Sequence, residues 1–327
     1  MIRLETRPQR PQVFGSTILV TGGAGFIGSF LVDRLIAEGA KEVIVVDNMF
    51  LGDVQNLQSA LREGVILYKD DIEINSTLSF IFDTHNVDIV FNCATKALNY
   101  SFVNPRNAFD TNTQGVLNLL EHQRKGCFQT LVHFSTSEVY GSAIYEPMDE
   151  KHPFGPTTTY AAGKAAADHA IASYVNMYKL DAFIMRPFNN YGPRQNHKGY
   201  MAGIIPITIW RVLNAIPPEI HGDGRQSRDF IYIEDTINSI IQLYPILNPA
   251  ESINISADSQ YSVREVISMI TQQLDYQGEI IQKPSRNADV VCHRACNRKL
   301  KSMINFELTE FSEGLARTIQ WYQGHIK

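Results

Sequence analysis

The sequence lacks the features that would indicate a membrane span, a nucleic-acid surface or a disulfide framework. No apolar run approaches the length of a membrane-spanning helix. Acidic residues outnumber basic ones by 34 to 29, a formal net charge of −5, so nothing indicates binding to nucleic acid or an anionic membrane. Four cysteines in 327 residues favour a reducing, cytoplasmic location. The first twelve residues are charged and interrupted by proline where a secretory signal would have an apolar core.

The length and the order of apolar runs indicate an α/β protein. Hydrophobic residues make up 44% of a chain long enough for about two domains at roughly 150 residues each. Strands are predicted at 17–21, 42–47, 65–68, 88–93, 130–135 and 181–185, and helices at 29–38, 77–84, 107–124 and 159–177. Nearly all-apolar strands alternating with helices predict a parallel sheet covered on both faces. We predict a polar leader over 1–16, a cofactor domain over 17–190 and a smaller α/β substrate lobe over 191–327.

A glycine-rich turn joins the first strand to the first helix. Gly22, Gly25 and Gly28 let the backbone approach a pyrophosphate, and the helix N-terminus supplies N–H groups and a partial positive charge. Asp47 ends the second strand, where a carboxylate accepts hydrogen bonds from an adenosine ribose. Asp47 would repel a 2′-phosphate, and Asn48 supplies no cation, so NAD is favoured over NADP. The alternative is a tight turn followed by a surface aspartate.

A second motif carries the groups expected of a proton-transfer site. Residues 135–138 read Ser-Thr-Ser-Glu at a strand end, and Tyr160 and Lys164 share one face of the following helix. A nearby ammonium lowers a tyrosine pKa from about 10 toward the range of a general base. Thr136 can orient the same substrate oxygen. The alternative is a chance Tyr–Lys pair on a helix surface.

Together these motifs resemble the extended short-chain dehydrogenase/reductases, in particular the nucleotide-sugar epimerase/dehydratase family. The resemblance runs from residue 17 to the C-terminus and is carried by segments 21–28, 160–164, 186–193 and 222–230. It implies a Rossmann doubly wound sheet, NAD as cofactor and a UDP-, GDP- or dTDP-linked sugar as substrate. It also implies a homodimer in which helices 107–124 and 159–177 form a four-helix bundle with their mates.

The resemblance assigns roles to individual residues. Catalytic roles fall to Thr136, Glu138, Tyr160 and Lys164. Cofactor contacts fall to Gly22, Gly25, Phe26, Ile27, Gly28, Asp47, Asn48, Asp71, Ile72, Ala94, Tyr160 and Lys164, with Asp71 and Ile72 at the adenine. Substrate contacts fall to Lys96, Ser137, Asn189, Arg228 and Arg286, and arginine forks suit the oxygens of a diphosphate. For Lys96 a solvated surface lysine is the alternative.

The implied chemistry begins with oxidation at sugar C4 by Tyr160 and NAD, and Glu138 distinguishes the possible later steps. An acid at this position suits removal of H5 in a 4,6-dehydratase, whereas family epimerases usually have a non-acidic residue there. Ser137 replaces the aspartate of dTDP-glucose dehydratases, which disfavours that substrate. The segment 145–153 looks more like dehydratases of nucleotide-linked N-acetylhexosamines. We therefore expect such a 4,6-dehydratase or a 5-position variant, a lyase, ahead of a UDP-glucuronate decarboxylase and then a 4-epimerase, an isomerase.

The sequence also raises the questions of a non-catalytic NAD-binding module, of a metal site and of the role of His152. A redox-sensing NAD-binding module that has lost its chemistry is disfavoured by the intact Thr136, Tyr160 and Lys164. The cluster at 292–296, Cys-His-Arg-Ala-Cys, lacks a second ligand pair, so no metal site is expected. His152, which precedes Tyr160 without a visible partner, is expected to be structural.

Overall fold

The structure is a computed structural model, and it describes residues 9–284 and 292–326. The strands are β1 Thr17–Thr21, β2 Glu42–Val46, β3 Ile66–Tyr68, β4 Ile89–Asn92, β5 Thr130–Phe134, β6 Asp181–Pro187, β7 Asn189–Tyr191, β8 Glu219–His221, β9 Ser227–Arg228, β10 Phe230–Tyr232, β11 Ser252–Ile255, β12 Tyr261–Ser262, β13 Ile281–Lys283 and β14 Cys292–His293. The helices are α1 Phe26–Ala37, α2 Gln58–Arg62, α3 Asn75–Thr84, α4 Pro105–Arg124, α5 Thr159–Tyr178, α6 Ile204–Leu213, α7 Ile233–Leu243, α8 Val263–Gln273, α9 Arg298–Met303 and α10 Phe311–His325.

Within these residues the main sheet has seven strands, in the order β11-β6-β5-β4-β1-β2-β3. Every pair in it is parallel. The central strands β1, β4 and β5 are buried along their whole length because helices cover both faces. Successive side chains of β1 enter different cores, Ile18 one and Leu19 the other. The predicted doubly wound α/β fold is confirmed.

The C-terminal part of the chain contributes to this sheet and also forms smaller ones. Strand β11 pairs with β6, with Ser252 opposite Ile184, and so becomes the outer strand of the main sheet. The short pairs β10-β7 and β13-β8 and the triple β12-β9-β14 lie outside it. Residues 191–327, predicted as a smaller α/β lobe, thus contain helices and mostly short strands.

The end of the predicted leader packs against the start of β6. The Arg10 guanidinium forms an ion pair with Asp181 at 2.6 Å, and both side chains are only 8% exposed. The same guanidinium lies 4.4 Å from the centre of the Phe183 ring. The Tyr244 hydroxyl donates a hydrogen bond to the Pro11 carbonyl at 2.7 Å. The end of the leader is therefore held against β6 and Tyr244 by Arg10 and Pro11.

Among the described residues, no helix combines the length and the apolar character needed to span a membrane.

Candidate active site

A cavity of about 570 Å³ opens at the carboxyl ends of the parallel strands. Its wall includes Gly22 after β1, Asp47 after β2, Ala94 after β4 and Thr136 after β5. Ligands of open parallel sheets bind at this edge, where loops from successive strands converge. The far wall consists of segments from the C-terminal lobe. The cavity therefore lies between the two predicted regions.

The glycine turn forms the floor of this cavity. Gly22 has φ +68, and a Cβ there would lie 2.7 Å from the Ala94 backbone. A Cβ on Gly28 would lie 2.2 Å from the Gly22 carbonyl oxygen, so only glycine permits this packing. Helix α1 begins at Phe26 with no side-chain hydrogen bond from its N-cap, Gly25. Its first N–H groups thus remain available to an anion at the helix N-terminus.

Asp47 lies at the end of β2 beside this turn. It is 7% exposed, and its carboxylate accepts hydrogen bonds from the N–H groups of Ala24 at 3.0 Å and Met49 at 2.8 Å. Burial raises the pKa of Asp47, and these backbone hydrogen bonds oppose the rise. The Asn48 amide donates to the Asp71 carboxylate at 2.7 Å.

All the residues assigned to the cofactor by resemblance line this one cavity: Gly22, Gly25, Phe26, Ile27, Gly28, Asp47, Asn48, Asp71, Ile72, Ala94, Tyr160 and Lys164. The glycine cradle and the uncapped start of α1 fit a pyrophosphate, and the adjacent Asp47 carboxylate fits a ribose. The residues present therefore fit a dinucleotide.

Tyr160 lies in the first turn of α5, whose N-terminus is capped by the Thr158 hydroxyl. It lines the cavity, where burial raises the pKa of its phenol to about 12. Hydrogen bonds with Thr136 and Thr95 lower this pKa, and the charge of Glu138 raises it. The predicted lowering of the Tyr160 pKa is thus wrong for the protein alone, because desolvation outweighs the stabilising contacts.

Lys164 is four residues further along the same helix. Its ammonium is 2% exposed and donates a hydrogen bond to the Phe134 carbonyl at 2.8 Å. Burial lowers the pKa of Lys164 to about 8, while the nearby Asp168 and Cys93 oppose that shift. The lysine is therefore fastened to the end of β5.

Thr136, Ser137 and Glu138 follow β5 directly. Thr136 caps the 3₁₀ turn Ser137–Tyr140 by accepting a hydrogen bond from the Glu138 N–H at 3.3 Å. The described cavity lining includes Thr136 but neither Ser137, which is 3% exposed, nor Glu138. Glu138 is partly buried, and its charge acts on the Tyr160 phenol. Glu138 is thus near enough for its charge to act on the Tyr160 phenol, although it is not among the described lining residues.

Lys96, Asn189 and Arg228 also line the cavity, from three separate segments. Lys96 is only 6% exposed, and its ammonium lies 4.3 Å from the centre of the Phe50 ring. The alternative of a solvated surface lysine is therefore wrong. Arg286 lies outside the described residues.

Several cavity residues were not predicted from the sequence. Thr95 contacts the Tyr160 phenol, Phe50 stacks on Lys96, and Arg194, Glu219 and His221 line the side of the C-terminal lobe. A polar residue two positions after the predicted strand 88–93 was a usable signal for Thr95. The others depend on how loops distant in sequence meet, which no local pattern reports.

His152 is structural, as predicted. It is 2% exposed, accepts a hydrogen bond from the Ile144 N–H and donates one to the Pro153 carbonyl, both at 2.9 Å. No group of His, Cys, Asp and Glu that could hold a metal ion occurs among the described residues. The side chains at 292 and 293, part of the 292–296 cluster, lie outside that description.

Comparisons with known proteins agree with this geometry. The family model for GDP-mannose 4,6 dehydratase matches residues 19–313. The chain therefore belongs to this family of NAD-dependent extended short-chain dehydrogenase/reductases, which contains nucleotide-sugar dehydratases, decarboxylases and epimerases. It is an enzyme of that family, with NAD as its cofactor.

Relatives with three different reactions resemble the chain to a similar degree. A UDP-glucuronic acid decarboxylase 1 from Xenopus tropicalis is 30% identical over 95% of this chain and 73% of its own length. The solved UDP-glucose 4-epimerase of Thermotoga maritima, with UDP-glucose, has a TM-score of 0.90 and 30% identity, covering 95% of this chain and 100% of that one. The dTDP-glucose 4,6-dehydratase of Streptomyces venezuelae, with NAD bound, has a TM-score of 0.89 and 28% identity, covering 94% and 97%.

Proposed function

We propose that the protein is an NAD-dependent 4,6-dehydratase, or a 5-position variant, acting on a nucleotide-linked hexosamine. The observation that carries this proposal is the position of Glu138. It lies in the 3₁₀ turn Ser137–Tyr140, which Thr136 caps, and its charge acts on the Tyr160 phenol. In the proposal Glu138 is the second base of the site. A reaction that removes a second proton from the sugar requires such a pair.

The side chains have distinct roles in this reaction. NAD, when bound beside the glycine turn, would supply the redox chemistry, taking a hydride from sugar C4 and giving it back to C6 after water is lost, while C5 regains a proton. Tyr160 takes the proton of the C4 hydroxyl while Thr136 holds that oxygen, which gives a 4-ketose. The ketone acidifies the C5 hydrogen, and Glu138 removes it, so that water leaves from C6. Because the pKa of the Tyr160 phenol is about 12 in the protein alone, the proposal requires the Lys164 ammonium, four residues along the same helix, to favour the phenolate once NAD and substrate fill the cavity.

In the proposal, Asn189 and Arg228 hold the diphosphate of the substrate. Both line the cavity, from β7 and β9. Arg228 presents a planar fork of donors that suits phosphate oxygens. Ser137 is a poor acid, so the proton for the leaving hydroxyl comes from another group or a bound water. This departure separates the proposal from simple dTDP-glucose dehydration.

The deciding experiment combines a substrate panel with Glu138→Gln. Purified protein is incubated with UDP-, GDP- and dTDP-linked hexoses, N-acetylhexosamines and uronic acids, and the product masses are followed. We expect loss of one water from a hexosamine, with solvent deuterium at C5. The Glu138→Gln variant should still oxidise C4, and therefore accumulate bound NADH and 4-ketose without losing water.

Two other results would replace the proposal. Loss of carbon dioxide, from a uronic acid only, would identify a decarboxylase. An unchanged product mass, with Glu138→Gln nearly silent, would identify a 4-epimerase. Within the dehydratase case, Ser137→Asp should accelerate elimination if protonation of the leaving hydroxyl limits the rate.

A homodimer through α4 and α5 is part of the proposal. Phe102, Val103 and Phe109, on and before α4, are 51%, 63% and 36% exposed, an apolar surface that a mate would cover. Ala161 and Ala167 are instead fully buried within the subunit, and Ala167 packs in one of the cores against the sheet, so part of the alanine-rich stretch is used inside the subunit. Light scattering at micromolar concentration should give twice the chain mass, and a monomer would contradict the pairing. The predicted domain boundaries and cytoplasmic location remain part of this proposal.

A further inference from the structure

Asp168 lies four residues after Lys164 on α5, outside the described lining of the cavity. It is 3% exposed. Its Oδ2 accepts two hydrogen bonds at 2.8 Å, from the Ser135 hydroxyl and from Nη2 of Arg186. Ser135 directly precedes Thr136. One carboxylate oxygen therefore joins the end of β5 to the helix that carries Tyr160 and Lys164.

Arg186 extends this contact into a buried network. It is 1% exposed, and its Nη1 donates to the Tyr140 hydroxyl at 2.6 Å. The Tyr140 hydroxyl in turn donates to the side-chain oxygen of Asn254 at 2.8 Å. The network thus links β6, the turn after β5 and β11 to the catalytic helix.

His133 faces Asp168 from β5. Its Nδ1 lies 3.0 Å from the Asn92 amide nitrogen, a donor, so in the neutral ring the proton belongs on Nε2. Nε2 lies 3.9 Å from Oδ1 of Asp168. Burial lowers the pKa of His133 well below its usual range, so the ring is uncharged.

Of the titratable groups named around Lys164, Asp168 is the one that carries a negative charge. The titratable groups whose charges interact with Lys164 are Cys93, which follows β4, His133 from β5 and Asp168 from α5. Arg186 from β6 pairs with Asp168, and Tyr160 lies one turn earlier on α5. His133 is neutral, and burial raises the pKa values of Cys93 and Tyr160, which keeps both protonated. Asp168 therefore pairs directly with one buried cation, Arg186, at 2.8 Å, and its charge acts on a second, Lys164, one helical turn away.

This arrangement is not what stability alone would favour. Replacing a buried ion pair by apolar residues of similar volume is often neutral or stabilising. Within the described part of the chain, the network also leaves buried atoms without hydrogen-bond partners, namely Asp168 Oδ1, Arg186 Nε and His133 Nε2. Such a site is typical of positions where function constrains the residues.

We propose that Asp168 is a positioning residue that ties the Thr136 strand end to the Tyr160 helix and keeps the buried Lys164 in its ammonium form. This rests on the catalytic roles of Tyr160 and Lys164 in the proposed function. The proposal assigns two separable effects to one carboxylate. The tether acts through Ser135, and the charge acts on Lys164.

The charge effect is tested without any substrate, by NMR titration of protein labelled with ¹³C at the lysine ε-carbons. Lys164→Arg assigns the resonance. In the wild type we expect Lys164 to titrate near pH 8. In Asp168→Asn the midpoint should fall by about one pH unit or more, because a neighbouring opposite charge has been lost. Asp83→Asn, a change at an exposed position of α3, is the matched control and should leave the midpoint in place.

Asp168→Asn leaves Arg186 buried without its anion and can fail to fold, so a double variant accompanies it. Asp168→Asn with Arg186→Met removes both charges and should fold, with the Lys164 midpoint still below that of the wild type. An unchanged midpoint in the folded variants would overturn the charge effect.

The tether is tested by Ser135→Ala, which retains both charges. We expect kcat to fall about tenfold, with unchanged KM and NAD affinity and an unchanged Lys164 midpoint, because only the alignment of the reacting groups is lost. A normal kcat in Ser135→Ala would overturn the tether. Failure of the proposed function would instead appear as no turnover of any nucleotide sugar by the wild type, with the Lys164 titrations still readable.

Discussion

The two sides of the cavity are built in different ways. The cofactor side consists of segments 22–28, 47–52 and 70–72, which follow the carboxyl ends of strands in the main parallel sheet. The backbone packs so closely at Gly22 and Gly28 that neither position can accommodate a side chain. The substrate side, segments 189–196, 201–207 and 219–228, comes from two- and three-residue strands, the first turn of α6 and the loops between them. The first side is fixed by backbone geometry and the second by side chains. Substrate choice can therefore change while the cofactor site stays the same.

The largest effect should come from the junction of the two sides. Tyr160→Phe removes one hydroxyl at the cavity wall and should lower turnover by roughly 10²–10⁴-fold, the usual contribution of a general base. NAD binding and the melting temperature should change little. Turnover is measured on the substrate found in the panel, and NAD binding by calorimetry. Near-normal turnover would show that another group is the base.

Matched glycine substitutions test whether the cofactor side is the less tolerant one. Gly28→Ala places a methyl group 2.2 Å from the Gly22 carbonyl oxygen, so the turn must move and NAD binding should be lost. In Gly203→Ala, on the substrate side, the nearest atom to the added Cβ is the Gln195 amide nitrogen at 3.1 Å, the end of a side chain, and Pro206 lies at an ordinary 3.7 Å. NAD affinity should stay normal there. If both variants lost NAD affinity to the same extent, the cofactor side would not be the less tolerant one.

A pair of charge-related substitutions should separate the two ligands. Asp47→Asn removes the charge expected at the NAD ribose and should weaken NAD binding roughly tenfold, since hydrogen bonds to charged groups contribute about 1.5–3 kcal/mol. The ratio of NAD affinity to NADP affinity should also fall in Asp47→Asn. Arg228→Lys should raise KM for the nucleotide sugar and leave NAD affinity unchanged. Fluorescence titration with NADH measures cofactor affinity, and steady-state kinetics measures KM for the nucleotide sugar. If Asp47→Asn raised that KM, or Arg228→Lys weakened NAD binding, the two ligands would not have separate sites.

The smallest effect concerns the buried carboxylate beside Arg228. Asp229 is fully buried, and desolvation raises its pKa to about 7 despite hydrogen bonds from the N–H groups of Ala257 and Asp258. The folded state therefore binds the proton more tightly than the unfolded state, whose pKa is near 3.8. This contribution to stability is complete below about pH 4 and is lost as the pH rises through about 7. Melting temperatures of Asp229→Asn between pH 5 and 8 should fall less steeply than those of the wild type, and parallel curves would contradict the assignment.

The same contrast explains how far the sequence predicts the fold and the site. Strand β1 was predicted at its observed bounds, and helix α5 ends one residue later than predicted, because apolar runs and helical periodicity report burial directly. The start of α1 was placed three residues too late, since Phe26 and Ile27 read as part of the glycine turn. The cofactor residues gathered in one cavity as predicted because they follow strand ends.

The rest depended on tertiary context. The sign of the Tyr160 pKa shift was wrong because its burial comes from segments distant in sequence. The position of β11 beside β6 could not be predicted either, since Ser252–Ile255 follows a run of helices and turns from the other lobe. Neither the direction of the Tyr160 pKa shift nor the pairing of β11 with β6 can be predicted from a local sequence pattern.

The place of β11 also bears on how the chain is made. Until residue 255 has left the ribosome, β6 has an open edge, with unpaired N–H and C=O groups along an apolar strand. Such edges recruit strands from other molecules. The nascent enzyme therefore passes through a stage with most of its sheet assembled and one side exposed, and a product truncated before residue 252 would remain at that stage. For this enzyme the C-terminal lobe closes the sheet as well as walling the cavity.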